Sequence, residues 1–224
     1  MRFAVVALGS TGDLYPFLAI AKALVARGHH VTLLSQAPYE AQVRAEGVDF
    51  RAVVGGVEHR KTLEHPLLWH SLHGFGVLWR HLAVPAIEAT CEALGELASG
   101  SENDARLTVL ATPMAAGARF ARERWPDRIR LVSGYTAPMG LRSTEDPMFV
   151  GPWRVPHWTP QAWRPMFWNM LDRWKLEPMA RPGLERWRAR WGTPELPASL
   201  FGEWLHSPDQ GLALYPEWFA RVPR

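Results

Sequence analysis

Two hydrophobic patterns alternate along the first 135 residues of the chain. Short apolar runs such as residues 3–8 are typical of strands buried on both faces. Between them, apolar residues recur at helical spacing, as Phe17, Ile20 and Leu24 do before Gly28. This alternation predicts β-α-β units and therefore a parallel sheet with right-handed crossovers. The predicted strands are residues 3–8, 30–35, 49–53, 107–111, 130–133 and 211–215.

The helical pattern predicts a first helix with Pro16 in its first turn. Further helices are expected at residues 39–46, over most of 62–98, and at 115–125, 166–175, 182–191 and 199–205. From about residue 134, prolines interrupt every long element, and nine of the 12 tryptophans lie beyond residue 152. Because linkers are poor in such large apolar rings, this stretch is predicted to be a long loop and a helical cap. The fold class is α/β: one domain, residues 1–224, with a Rossmann-like parallel sheet, flanking helices and a helical, tryptophan-rich elaboration.

Composition excludes several classes of protein. A hydrophobic fraction of 47% with 21% charged residues is that of a folded chain, and a net charge of +3 without a basic block disfavours nucleic-acid binding. The single cysteine, Cys91, lies in a helical apolar pattern, which favours a buried thiol. His70 and His73 lack further ligands at metal-binding spacing, so no metal is expected. No signal peptide or membrane-length apolar run is visible, which predicts a cytoplasmic protein.

The most informative segment is Gly9-Ser10-Thr11-Gly12-Asp13, between the first strand and the first helix. Open α/β sheets bind ligands in the crevice at this end of the strands. Asp13 is therefore either a general base or a helix N-cap, and one carboxylate can serve as both. A nicotinamide site is disfavoured, because G-x-G-x-x-G is absent and Ser35-Gln36 replaces the acidic residue expected after the second strand.

The segment GSTGDLYPFLAIAKAL resembles the start of the N-terminal domain of two-domain GT-B glycosyltransferases, of the family 28 N-terminal type. This group includes sterol glucosyltransferases, antibiotic glycosyltransferases and rhamnolipid rhamnosyltransferases. Three further blocks resemble the rhamnosyltransferase branch in the same order: residues 75–79 (FGVLW), 204–208 (WLHSP) and 215–220 (YPEWFA). Because ordered blocks over most of the chain rarely arise by chance, the resemblance is more specific than the glycine loop alone.

The resemblance implies a metal-independent, inverting enzyme that needs no cofactor besides a nucleotide-sugar co-substrate. It would transfer a hexosyl group from a dTDP- or UDP-sugar to a hydroxyl of a hydrophobic acceptor, such as a lipid, sterol or natural product. Asp13 matches the position of the family's general base. The loop facing the donor would be Gly9, Ser10, Thr11 and Gly12.

In such enzymes the carboxyl ends of the strands face a second, donor-binding domain across a cleft, and no motif of that domain follows in these 224 residues. We therefore expect the chain to be inactive without a donor domain. We also expect three segments at this end of the sheet to lie exposed beside an apolar acceptor pocket: residues 9–13, the region of Met114 and residues 135–139. The residues expected at the acceptor are Trp79, Met114, Tyr135, Thr136 and Met139.

Several alternatives stay open. The chain could be a non-catalytic acceptor-binding module, a subunit that gains its donor domain from a separate chain, or a truncated gene product. The stretch from Trp153 to Trp191 suits an acceptor pocket, a cap that seals the sheet, or both. Four arginines near its end (Arg181, Arg186, Arg188 and Arg190) suit at most a peripheral contact with the inner face of a membrane, or a salt-bridged face with Glu185. His206 suits either the cleft or a structural hydrogen bond.

Overall fold

The computed structural model describes residues 1–100, 106–142, 149–150, 153–156 and 158–220, without the side chains of residues 139, 149, 150 and 153. A six-stranded parallel sheet forms the centre of the fold. This confirms the predicted α/β, Rossmann-like class. The strands of this sheet are β1 (Arg2–Val6), β2 (His30–Gln36), β3 (Asp49–Val54), β4 (Leu107–Ala111), β5 (Ile129–Tyr135) and β8 (Gln210–Ala213). Their order across the sheet is β3-β2-β1-β4-β5-β8.

The sheet is buried on both faces because successive strand residues point to opposite sides. In and just after β1, Ala4, Val6 and Leu8 belong to one apolar cluster, whereas Val5 and Ala7 belong to the other. The first cluster is closed by helices from the middle and end of the chain, and the second by the two helices that follow β1 and β2. This double burial explains why the strand sequences are continuously apolar rather than alternating.

The helices of the first half follow the predicted crossovers. They are α1 (Thr11–Ala26), α2 (Glu40–Ala45), α3 (Gly56–Leu63), α4 (Gly74–Leu78), α5 (Val84–Ser99) and α6 (Ala116–Arg124). Gly28 and Gly47, which follow the ends of α1 and α2, have positive φ angles of 78° and 73°. Both positions favour glycine, as the sequence predicted for helix ends.

The second half contains α7 (Arg164–Leu171) and α8 (Glu177–Trp191). One π-helical segment, residues 172–176, joins these two helices, and another, residues 79–83, joins α4 to α5. A third forms residues 200–204. The hydrophobic pattern predicted helices here but not the wider turns, because one extra residue in a turn changes the apolar spacing only locally.

Two expectations about local structure are wrong. α1 begins at Thr11, so Pro16 lies inside the helix, in its second turn, and not in the first. The stretch expected as a loop after residue 134 contains a short antiparallel pair, β6 (Phe149–Val150) and β7 (Trp153–Arg154). Strands of two residues carry too little alternation to be seen in a sequence.

Membrane-spanning and metal-binding features were sought over the part of the chain that the structure describes. No helix there is long and apolar enough to cross a membrane. The same residues contain no group of three or more histidine, cysteine, aspartate or glutamate side chains arranged to hold a metal ion. Cys91 is fully buried, and burial raises the pKa of its thiol to about 11, so the thiolate is not formed at neutral pH.

Candidate functional site

The order in which the chain adds strands to the sheet reverses between β1 and β4. From β1 it proceeds outward through β2 and β3, and after β4 it proceeds to the opposite edge through β5 and β8. The loops after β1 and β4 therefore diverge and leave a crevice at the carboxyl ends of the two strands. This is the place where open α/β sheets bind ligands.

The loop after β1 requires glycine at its first position. Gly9 has a φ of 145°, and a Cβ there would collide with the carboxylate of Asp13. Any larger residue at position 9 would both strain the backbone and displace the side chain of Asp13. The glycine thus allows the carboxylate of Asp13 to fold back over the loop.

The sequence left open that Asp13 is the N-cap of α1, and this alternative is wrong. Ser10 occupies the N-cap and Asp13 is the third helical residue. The backbone N–H and the hydroxyl of Ser10 donate to Oδ2 of Asp13 at 2.8 and 2.9 Å. The Thr136 hydroxyl, at the end of β5, donates to Oδ1 at 3.2 Å. Hydrogen bonds from two loops hold the carboxylate in one orientation, at the positive end of the α1 dipole.

The loop after β1 is also stabilised by two polar residues of β2. The sequence reasoning did not assign these residues to the site. Ser35 and Gln36 end β2 and are completely buried. The Gln36 amide nitrogen donates to the carbonyl of Gly9 at 2.6 Å, and the Ser35 hydroxyl lies 2.6 Å from the carbonyl of Ala7. Two adjacent polar residues at the end of an apolar strand were the available signal, because buried polar groups need partners.

Asp13 borders a cavity of about 370 Å³ that is lined mainly by apolar side chains. Four of the residues expected at the acceptor line the same cavity: Trp79, Met114, Tyr135 and Thr136. The side chain of Met139 lies outside the described residues. The loop residues Gly9, Ser10, Thr11 and Gly12 lie beside Asp13 but do not line the cavity, and all but Gly9 are exposed.

The expected exposure of residues 135–139 is wrong for Tyr135, the last residue of β5, which is almost completely buried. Its hydroxyl contacts Nδ1 of His206, whose Nε2 lies 3.0 Å from the carbonyl of Phe201. An N–H at Nε2 satisfies that carbonyl and leaves Nδ1 to accept from Tyr135. His206 lines the cavity as well, so it both makes structural hydrogen bonds and borders the cavity.

Burial keeps the side chains of Tyr135 and His206 uncharged. It lowers the pKa of His206, and the nearby Arg142 guanidinium acts in the same direction. Burial also raises the pKa of Tyr135. Both side chains are therefore neutral at pH 7, which leaves Asp13 as the anionic group among the described residues that line the cavity.

Two cationic residues that line the cavity were missed by the sequence reasoning. Arg142 donates to both carboxylate oxygens of Asp172 at 2.5 Å and lies over the ring of Trp168. Lys175, in the π-helical segment after α7, also lines the cavity. These residues lie in the proline- and tryptophan-rich stretch, where no motif indicates which side chains turn inward.

The tryptophans of that stretch divide between three environments. Trp168 lines the cavity, whereas Trp187 and Trp191 stack on each other and pack against the core. Trp158, Trp163 and Trp174 are exposed. Of the four arginines near its end, Arg181 and Arg188 pair with Glu185 and Arg190 pairs with Glu88.

Comparison with known proteins supports the resemblance noted in the sequence. Residues 3–99 match the family model of the glycosyltransferase family 28 N-terminal domain. A sterol 3-beta-glucosyltransferase from Vanderwaltozyma polyspora is 36% identical over 54 residues, which are 24% of this chain and 4% of that protein. The corresponding enzyme from Eremothecium gossypii is 40% identical over 53 residues, again 24% of this chain and 4% of that protein.

Solved glycosyltransferase structures share the fold over nearly the whole chain. The glycotransferase of kitacinnamycin has a TM-score of 0.58 at 19% identity, covering 97% of this chain and 46% of its own. The glycosyltransferase VinC, in complex with dTDP, has a TM-score of 0.57 at 15% identity, covering 97% and 50%. SnogD from Streptomyces nogalater has a TM-score of 0.52 at 16% identity, covering 95% and 45%.

The chain thus has the fold of a GT-B glycosyltransferase N-terminal domain, and it spans about half the length of the solved structures it matches. The family match and the shared fold confirm the resemblance predicted from the glycine and aspartate loop.

Proposed function

We propose that this chain binds the acceptor in a GT-B glycosyltransferase reaction and that Asp13 is its general base. The observation that carries the proposal is the carboxylate of Asp13. It lies at the crevice beside β1, is oriented by Ser10 and Thr136, and borders an apolar cavity. A base that is held still next to a substrate cavity has the geometry that general-base catalysis requires.

In the proposed reaction an acceptor hydroxyl donates a hydrogen bond to Asp13. Its oxygen attacks the anomeric carbon of a nucleotide-sugar from the face opposite the leaving group. The new carbon–oxygen bond forms as the bond to the nucleotide diphosphate breaks, and the hydroxyl proton passes to Asp13. The configuration at the anomeric carbon is therefore inverted, and no metal ion is needed for these steps.

The apolar lining of the cavity favours a hydrophobic acceptor, such as a lipid, sterol or natural product. Trp79 and Tyr135 would supply flat apolar walls, and Met114 an adaptable one. The indole N–H of Trp79 is buried without a hydrogen-bond partner among the described residues. It is a candidate donor to an oxygen of the acceptor, because buried donors are rarely left unsatisfied.

We further propose that the donor sugar is held by a second domain, supplied after residue 224 or by another chain. The matched solved structures are about twice as long as this chain, which supports this division. The 224 residues alone are then expected to bind acceptor without transferring sugar, because binding of one substrate lowers no barrier for the reaction.

The decisive experiment joins the chain to the donor domain of a related glycosyltransferase and compares Asp13→Asn with the parent fusion. We expect kcat to fall by about 100- to 10,000-fold, the usual contribution of a general base. Acceptor affinity should change little, since asparagine keeps the shape and the hydrogen bond from Ser10. Asp127→Asn is the matched control, because Asp127 is highly exposed and lies outside the cavity. An unchanged kcat in Asp13→Asn would reduce Asp13 to a structural residue that accepts the hydrogen bonds of Ser10 at the start of α1.

A further inference from the structure

A second cavity, of about 260 Å³, adjoins the apolar one and has a different chemical character. The two cavities share Leu72, Phe75, Lys175 and Leu176 in their walls. The second cavity is lined by five residues that are cationic or become cationic by protonation, and by no carboxylate among the described residues. These five residues are His65, His73, Arg80, His81 and Lys175.

The arginine and the lysine of this cavity have no anionic partner among the described residues. Over the part of the chain that the structure describes, neither Arg80 nor Lys175 has a carboxylate oxygen within 4.0 Å. Arg142, on the wall of the larger cavity, is neutralised by Asp172. Unbalanced positive charge is therefore concentrated on one side of the paired cavities, where it would attract an anion.

The histidine rings add further hydrogen-bond donors. Nδ1 of His65 accepts from the backbone N–H of Leu67 at 3.2 Å, so the ring proton is on Nε2. The ring of His65 lies against that of His81, with 5.3 Å between their centroids. An arginine, a lysine and imidazole donors form a set suited to the oxygens of a carboxylate or a phosphate.

We infer that the acceptor is an anionic amphiphile whose charged group binds in the cavity lined by Arg80 and Lys175. Lys175 lies in the walls of both cavities, so an anion bound there leaves the apolar part of the same molecule facing the larger cavity, where Asp13 lies. The inference rests on the proposed function for the role of Asp13. It narrows the acceptor to a hydroxylated carboxylate or phosphate and disfavours an uncharged sterol or alcohol.

Calorimetric titration of the wild-type chain with three matched ligands tests this without sugar transfer. The ligands are ω-hydroxydecanoate, ω-hydroxydecyl phosphate and α,ω-decanediol, which share a chain length and differ in the end group. We expect at least one anionic ligand to bind about tenfold or more tightly than the diol, the usual effect of hydrogen bonds to a charged group. The tighter of the two anions identifies whether the site prefers carboxylate or phosphate.

The variant Arg80→Gln/Lys175→Gln should lose the preference for the anion and keep the affinity for the diol. Arg186→Gln/Lys61→Gln is the charge-matched control, because both residues are exposed and neither lines a described cavity. Thermal unfolding of each variant checks that it is folded, and the wild-type comparison needs no variant at all.

The outcomes distinguish failure of this inference from failure of the proposed function. Equal binding of anions and diol by the wild type overturns the anionic acceptor and leaves Asp13 catalysis standing. A preference that survives in the Arg80 and Lys175 variant overturns the assignment of the site. Binding of none of the three ligands overturns both the anion site and acceptor binding by this chain.

Discussion

The two walls of the large cavity are built differently. The wall formed by the sheet consists of strand ends and their loops, where Tyr135 is buried and Thr136 is hydrogen-bonded to Asp13. The opposite wall is formed by α7 and the π-helical segment after it, which present Trp168 and Lys175 to the cavity. The same helical wall also exposes large apolar residues to solvent, namely Met166, Met170 and Trp174.

The two walls are suited to different tasks, the sheet wall to holding the catalytic carboxylate and the helical wall to accommodating the acceptor. Strand ends are held by hydrogen bonds to neighbouring strands and by packing on both faces, so they can hold a carboxylate in one position. A helix that contacts the fold along one side has fewer such restraints and can adapt to the shape of a ligand. We therefore expect changes in the sheet wall to affect stability and catalysis, and changes in the helical wall to affect which acceptor binds.

The largest expected effect tests whether the sheet, which carries one wall, unfolds together with the helices of the last third of the chain, which carry the other. Phe120, on α6, is completely buried and packs edge-on against Trp191 of α8 and Trp204 of the last π-helical segment. Phe120→Ala should lower the free energy of unfolding by about 3–5 kcal/mol, through lost burial and the cavity left behind. Chemical denaturation followed by circular dichroism measures this. We expect one transition shifted to lower denaturant, and two separate transitions would show that the sheet and these helices unfold independently.

A moderate and pH-dependent effect is expected at His206, which links the sheet wall to the last π-helical segment. Burial lowers the pKa of His206 in the folded chain below its ordinary value of 6.5. As the pH falls through 6.5 the unfolded chain therefore takes up the proton first, and the stability contributed by the neutral histidine is progressively lost.

The substitution His206→Gln should cost about 1 kcal/mol at pH 7.5 through the hydrogen bonds to Tyr135 and Phe201. The difference in unfolding free energy between wild type and variant should shrink at pH 5.5. His59, whose pKa is also lowered by burial, titrates in both proteins and cancels in the comparison. A difference that is constant or grows toward pH 5.5 would contradict the lowered pKa.

The smallest effect is expected on the outer side of the helical wall. Trp174 is 78% exposed, so Trp174→Ala should change the free energy of unfolding by no more than about 0.5 kcal/mol. The same denaturation experiment as for Phe120→Ala serves as the measurement, and the two variants form a matched pair of aromatic truncations. A loss above about 1 kcal/mol would mean that this side is packed in solution, for example against another molecule.

Local features of the site were predictable because they depend on neighbours in the chain. The apolar run before Gly9 predicts a buried strand, and the repeat from Phe17 to Leu24 predicts the following helix. A strand followed by a glycine turn and a helix places Asp13 at the carboxyl end of the sheet. The start of α1 was less predictable, since Ser10 and Asp13 are both good capping residues and only the observed geometry distinguishes them.

Contacts between residues far apart in the chain could not be predicted from the sequence. The hydrogen bond from Gln36 to Gly9 joins residues 27 positions apart, and the contact of Tyr135 with His206 joins residues 71 positions apart. Neither pair has a sequence signature, because a polar side chain that will be buried looks the same as one that will be exposed. Only the packing of the sheet decides which partner it meets.

By itself, the sequence of this chain determined the order of strands and helices, the parallel sheet and the position of Asp13 beside the first helix, because these follow from hydrophobic spacing and turn residues. The tertiary structure alone decided the order of strands in the sheet, the enclosure of the apolar cavity and the grouping of Arg80 with Lys175 in the adjoining one. The physical reason is that spacing within an element acts over a few residues, whereas a cavity forms only when surfaces from distant segments fail to fill the space between them.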